Sequence, residues 1–179
     1  FMDLCAGSGC IGLALKKTYS NSDISLVELS DSAILLINEN IELTGLTVDV
    51  FKMDVLNEGA YSDVPNNSFD CWVSNPPYIL NNEKKLMSNN VLNYEPHMAL
   101  FVDDSSPLVF YQKIAQIGFD KIRDKGFVFF EINESFGEAV VDLMMNIGFV
   151  NIELRKDLQG KDRMVRAQRV LSHHESGRG

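Results

Sequence analysis

The sequence predicts an α/β fold: a doubly wound, mostly parallel seven-stranded sheet with helices on both faces. Three observations carry this. Short apolar, β-branched runs alternate with helix-length segments from one end of the chain to the other. A glycine-rich turn, Gly7-Ser8-Gly9-Cys10-Ile11-Gly12, stands between the first such run and the first helical segment. Polar residues that can bind a ligand, Glu28, Asp54 and Asn75, fall at the ends of the second, third and fourth runs. Open α/β sheets bind their ligands at those carboxyl ends.

Phe1-Met2-Asp3-Leu4 reads as the tail of the first strand, and Ile11 to Thr18 as the first helix. Ile24 to Glu28 is the second strand. Ser30 or Asp31 caps a helix that reaches Leu43 and is stopped by Gly45. Val48 to Lys52 and Phe69 to Ser74 are the third and fourth strands. The segment from Ile79 to Ser106 reads as long and irregular, broken by Asn81-Asn82, Asn89-Asn90 and Pro96. A connection of that length inside a compact domain is usually functional. Pro107 opens a helix running to about Arg123. Phe127 to Ile132 is the fifth strand, Phe136 to Met145 a helix, Phe149 to Leu154 the sixth strand and Met164 to Val170 the seventh. The tail from Ser172 to Gly179, with His173-His174, is expected to be a disordered, solvated end.

At 179 residues the chain suits one domain, spanning 1–171. No apolar run approaches the ~20 residues of a membrane span, and there is no leader, so a cytoplasmic protein is expected. The net charge of −9 argues against a broad phosphate-binding surface, and so against nucleic acid as a partner. Cys5, Cys10 and Cys71 are neither an even set nor a C-x-x-C pair, which argues against a disulfide framework or zinc site and fits a reducing compartment. Because the chain opens at Phe1, already inside a strand, an N-terminal portion is expected to precede it.

The most informative stretch is Asn75-Pro76-Pro77-Tyr78. Each proline fixes its own φ and pushes the residue before it into an extended conformation. The Asn75 side-chain oxygen and the Pro76 carbonyl can then face one point as fixed acceptors, with the Tyr78 ring nearby. An –NH2 group on a planar amide or base fits such a site. A strand-ending turn with two prolines is the plainer alternative.

The glycine turn lets the backbone approach a ligand, and the helix start behind it offers free N–H donors. Glu28, beside Leu29, lies where a carboxylate accepts from ribose hydroxyls, and Asp54, beside Val55, where one meets an adenine amino group. Together these make a nucleoside pocket. Asp3, just before Cys5, Ala6, Gly7, Ser8 and Gly9, is an awkward neighbour for phosphates but a good one for a cation. That favours S-adenosylmethionine, which carries an ammonium and a sulfonium.

These residues resemble a known family. Asp3-Leu4-Cys5-Ala6-Gly7-Ser8-Gly9, Glu28, Asp54 and Asn75-Pro76-Pro77-Tyr78 are similar to Rossmann-like class I methyltransferases acting on planar nitrogens. Pro77-Tyr78-Ile79, Tyr94-Glu95-Pro96, Ala99-Leu100 and Asp157-Leu158-Gln159-Gly160-Lys161-Asp162-Arg163 resemble the peptide chain release factor glutamine methyltransferases in particular. The resemblance runs from Phe1 to about Arg166. It implies a mostly parallel sheet with an antiparallel C-terminal strand, S-adenosylmethionine as cofactor, and no metal. It also implies a release factor as protein substrate, methylated on the glutamine of its Gly-Gly-Gln loop. Asn75, Pro76, Pro77 and Tyr78 are then the catalytic group. Asp3, Cys5, Ala6, Gly7, Ser8, Gly9, Glu28, Leu29, Asp54, Val55 and Asn75 are then the cofactor contacts. A nucleic-acid amino methyltransferase is the alternative. Glu95 is a candidate final proton acceptor, and the Asp157–Arg163 motif reads as a turn in which Asp162 and Arg163 pair.

The sequence departs from the family at three points. Cys5-Ala6 stands where the family usually has Gly-Thr or Gly-Cys, and Glu131-Ile132-Asn133 where it tends to show Glu-Ile-Gly. The family's N-terminal helical domain, which helps grip the release factor, is absent from this chain.

Overall fold

In the computed structural model the sheet grows outward from β1 (Met2–Leu4). The structure describes residues 1–77, 79–80, 101–102 and 106–171, with the backbone alone at 79–80 and 101–102. Tyr78, Glu95 and the tail 172–179 lie outside the described residues.

Strand β1 pairs in parallel with β2 (Ser25–Glu28) on one side and β4 (Phe69–Ser74) on the other. Beyond β2 lies β3 (Asp49–Lys52), and beyond β4 lies β7 (Ile122–Glu131), both parallel to their neighbours. The last two strands are β8 (Val150–Lys156) and β9 (Asp162–Gln168). They complete the order β3-β2-β1-β4-β7-β9-β8, with β9 antiparallel to both of its neighbours. This is the seven-stranded, mostly parallel sheet that the sequence predicts, with the antiparallel C-terminal strand in place.

Helices α1 (Cys10–Thr18) and α2 (Asp31–Thr44) connect β1 to β2 and β2 to β3. Helices α3 (Val109–Lys121) and α4 (Gly137–Ile147) flank β7 in the chain. Alternation along β1 divides the core between the two faces. Met2 and Leu4 join Trp72, Tyr111, Ile114, Phe130, Val140 and Met144 under α3 and α4. Asp3 points the other way, toward the side where Ile24, Leu26 and Ile37 pack with Leu15 and Ile41. Among the described residues no helix is long and apolar enough to cross a membrane.

The structure differs from the sequence expectation in three local respects. Helix α3 ends at Lys121 rather than near Arg123, because the chain is already paired with β4 at Ile122. It then makes an irregular turn through Lys125, at φ +64°, before pairing resumes at Phe127. Gly126 is required there, since a Cβ would stand 2.8 Å from the Asp70 carbonyl. Second, within the segment read as irregular, β5 (Ile79–Leu80) and β6 (Phe101–Val102) pair in parallel as a separate small sheet. Third, Asp162 and Arg163 take different partners. Adjacent residues of a strand face opposite sides, so Asp162 meets Lys156 at 3.0 Å while Arg163 meets Asp157 at 3.3 Å. The turn itself is as read: Asp157 Oδ1 accepts from the N–H groups of Gln159 and Lys161, and Gly160 sits at φ +82°.

Candidate active site

The registers Leu4↔Val27, Leu4↔Ser74 and Glu28↔Lys52 bring the carboxyl ends of β1 to β4 level. All of the sequence-predicted residues that are described lie along this edge or in the turns leaving it.

The turn after β1 contains three left-handed residues, Cys5 at φ +59°, Gly7 at +57° and Gly9 at +77°. Such backbone suits glycine and strains a side chain. The Ala6 N–H donates to the Val27 carbonyl at 3.0 Å and the Gly9 N–H to the Ala6 carbonyl at 2.8 Å. From α2, the Asn40 Nδ2 donates to the Ser8 carbonyl at 2.9 Å. A Cβ built on Gly7 would meet nothing within 4 Å, so this part of the turn faces open space. The N-cap residue Gly9 has no side chain, and Asp3 takes only the Gly12 N–H of the first turn, which leaves the N–H groups of Cys10 and Ile11 available to a ligand.

Beneath the turn lies Asp3, 1% exposed. Its Oδ2 accepts from the Gly12 N–H at 2.8 Å, while Oδ1 is buried with no partner among the described residues. Burial pushes its carboxyl up to about 7, with the charge of Glu28 adding to the rise and the Gly12 N–H opposing it. An orphaned acceptor in a buried carboxyl fits a cationic group.

Glu28 organises the second turn. Its Oε2 accepts from the Gly7 N–H at 2.8 Å, and its Oε1 from the N–H groups of Leu29 and Ser30 at 2.8 and 2.9 Å. A carboxylate has about four lone-pair sites, so roughly one remains for a further donor. Leu29 is exposed beside it. Across β3, Asp54 is exposed and its Oδ1 accepts from the Leu56 N–H at 2.9 Å, while Val55 is buried below.

At the end of β4 the Asn75 side chain is exposed on this edge, and Pro76 and Pro77 are buried behind it. The Cys5 thiol is no nucleophile: burial pushes its pKa up, as do the charges of Glu28, Asp3 and Asp54, against one hydrogen bond with Ser74. Cys10 is exposed, with its Sγ 3.0 Å from Ser8 Oγ. Cys71 is half-buried, and burial pushes its thiol up to about 12. Among the described residues no cluster of His, Cys, Asp or Glu could hold a metal ion.

Two residues that the sequence did not single out belong to this geometry. Asn40 holds the Ser8 carbonyl, and Ser74 joins β4 to β1 through a 2.6 Å hydrogen bond from its hydroxyl to the Leu4 carbonyl.

Solved structures share this architecture. A methyltransferase from Pyrococcus furiosus superposes with a TM-score of 0.66 at 15% identity, over 95% of this chain and 74% of its own. A T. thermophilus 16S rRNA N2 methyltransferase, in complex with AdoMet and guanosine, superposes with a TM-score of 0.62 at 18% identity, over 94% of this chain and 36% of its own. At such identities the likeness is one of fold. A curated relative, the release factor glutamine methyltransferase of Flavobacterium psychrophilum, is 38% identical over 165 residues, which is 92% of this chain and 56% of that protein. The chain therefore spans little more than half the length of this relative. The model of the methyltransferase small domain matches residues 1–99, more than half of the chain, and the chain belongs to that family.

Proposed function

We propose that the chain is the cofactor-binding and catalytic domain, residues 1–171, of a cytoplasmic S-adenosylmethionine-dependent methyltransferase. Its target is the side-chain amide nitrogen of the glutamine in the Gly-Gly-Gln loop of a peptide chain release factor. One observation carries the reading. A relative that matches 92% of this chain is named a release factor glutamine methyltransferase, and the family model's match over residues 1–99 spans the carboxyl-edge site.

S-adenosylmethionine supplies an electrophilic methyl on a positively charged sulfur, so the donor leaves as a neutral thioether. In this reading the buried Asp3 Oδ1 faces the cationic end of the cofactor. The turn Cys5-Ala6-Gly7-Ser8-Gly9 lies against the cofactor through the open space at Gly7. Glu28, already accepting from Gly7, Leu29 and Ser30, takes one ribose hydroxyl with its remaining capacity, and Leu29 covers the sugar. Asp54 and Val55 receive the adenine amino group and ring.

The amide nitrogen is a poor nucleophile because its lone pair is delocalised into the carbonyl. Positioning is therefore the main demand on the protein. The Asn75 side-chain oxygen and the Pro76 carbonyl accept the two amide hydrogens and aim the nitrogen at the methyl, and on transfer the nitrogen gives up one of those hydrogens as a proton, which leaves past the exposed Asn75 to solvent. Alignment of this kind can lower a barrier by roughly 7–11 kcal/mol in ideal cases. Pro77 stiffens the segment.

The test offers labelled S-adenosylmethionine with a release factor, DNA and RNA in parallel, beside an Asn75→Ala control. Label is expected on the release factor glutamine, and about 100-fold less of it with Asn75→Ala. Transfer to nucleic acid but not to release factor overturns the reading in favour of a nucleic-acid amino methyltransferase.

A further inference from the structure

The residue before the tetrad makes an unusual connection. Ser74 is the last residue of β4, only 1% exposed, and its hydroxyl donates to the carbonyl of Leu4, the last residue of β1, at 2.6 Å. The two residues are 70 positions apart in the chain and directly opposite in the sheet register. Leu4 is followed at once by Cys5, whose left-handed backbone starts the turn over the proposed cofactor.

Pro76 and Pro77 have no N–H. Beyond Asn75 the backbone of β4 therefore has no donor to offer β1, and the parallel ladder cannot continue. The Ser74 hydroxyl supplies a tie at the point where the ladder stops. Its single proton goes to the Leu4 carbonyl, so the bond runs from the fourth strand to the first. The hydroxyl thus joins two groups: the end of the strand that carries Asn75 and the end of the strand that starts the turn.

We infer that Ser74 is a positioning residue: its hydroxyl sets the distance between Asn75 and the cofactor turn, and hence between the bound amide nitrogen and the methyl it receives. The inference rests on the methyl transfer proposed above. Ser74 touches neither reactant and acts through Asn75. In the absence of its bond, the rigid Asn75-Pro76-Pro77 segment stays intact but is no longer locked to the turn. A displacement of about 1 Å at such a site can cost on the order of 100-fold in rate.

The experiment measures kcat and KM for labelled methyl transfer to a release factor, with calorimetric binding of S-adenosylmethionine, for wild type, Ser74→Ala, Ser74→Thr, Asn75→Ala and the Ser74→Ala/Asn75→Ala double variant. Assays are run well below each thermal midpoint, so that the folded fraction is the same. Ser74→Ala is expected to lower kcat roughly 10- to 100-fold with cofactor affinity within about threefold of wild type. Ser74→Thr, which keeps the hydroxyl, recovers most of that loss. The double variant is no slower than Asn75→Ala alone, because both changes act on one group. An unchanged kcat in Ser74→Ala overturns the inference, as do additive losses in the double variant or a loss confined to cofactor binding. A wild-type protein that transfers no methyl to release factor instead sinks the proposed function, so the two failures are told apart.

Discussion

Gly12 lies directly over Asp3: its N–H donates to Asp3 Oδ2 at 2.8 Å, and the missing Cβ is what permits the approach. A Cβ there would come within 2.0 Å of Leu26 Cδ2 and 3.2 Å of Asp3 Oδ2. Leu26 is fully buried against Ile37 and has little room to yield. Gly12→Ala gains helix propensity of about 1 kcal/mol but overpacks this face by more. A net destabilisation of about 1–2 kcal/mol is expected by urea unfolding, together with weaker cofactor binding.

Burial gives Asp3 an unusual pH signature. In the fold its carboxyl titrates near 7, whereas in an unfolded chain it titrates near 4. Between those values the native state holds a proton that the unfolded state has released. The contribution of Asp3 to stability therefore falls as pH rises through this window, and levels off above it. Urea titrations should show that slope in wild type and a flatter one in Asp3→Asn. The sign for the cofactor is opposite: an ionised Asp3 attracts a cation, so S-adenosylmethionine binding should tighten between pH 6 and 7.5 in wild type only.

Glu28 serves the protein before any ligand arrives, since three N–H groups converge on its two oxygens. Glu28→Gln removes the charge and leaves one of those donors without its acceptor. A loss of roughly 1–3 kcal/mol in unfolding free energy is expected. Calorimetry should show cofactor affinity reduced at least tenfold, beyond what the folded fraction accounts for.

Asn40 reaches the turn from α2, and its effect should be confined to binding. Asn40→Ala frees the Ser8 carbonyl, which can be solvated at the surface. One hydrogen bond of about 1 kcal/mol corresponds to a three- to tenfold weaker cofactor Kd, with kcat unchanged. A kcat that falls in step with affinity would count against this division of labour.

What the sequence made legible was what is local. The glycine turn, Glu28 and the Asn75-Pro76-Pro77 segment each announce themselves within a few residues, and alternating periodicity places them at strand ends. Asn40 and Ser74 were not legible because their partners lie 32 and 70 residues away, and neither carries a composition signal of its own. The end of α3 was misjudged for a related reason. No glycine or proline stands between Lys121 and Gly126, and the strand begins at Ile122 only because β4 is there to pair with it. The two-residue strands Ile79–Leu80 and Phe101–Val102 are too short for any periodicity to show. The state of Asp3 belongs to the packing of α1, which no single residue encodes.

The position of β9 has a consequence for how the protein is made. Strand β8 is joined to the sheet through β9 alone, and β9 follows it in the chain. Until Asp162 to Gln168 have left the ribosome, β7 exposes a Phe127-Val128-Phe129-Phe130 edge with nothing beside it, and β8 has no place to dock. Strands β1 to β4 are made long before, although Met2, Leu4 and Trp72 wait for α3 and α4 to cover them. Synthesis therefore passes through a stage with an unpaired apolar strand edge, the kind of surface that chaperones exist to shield.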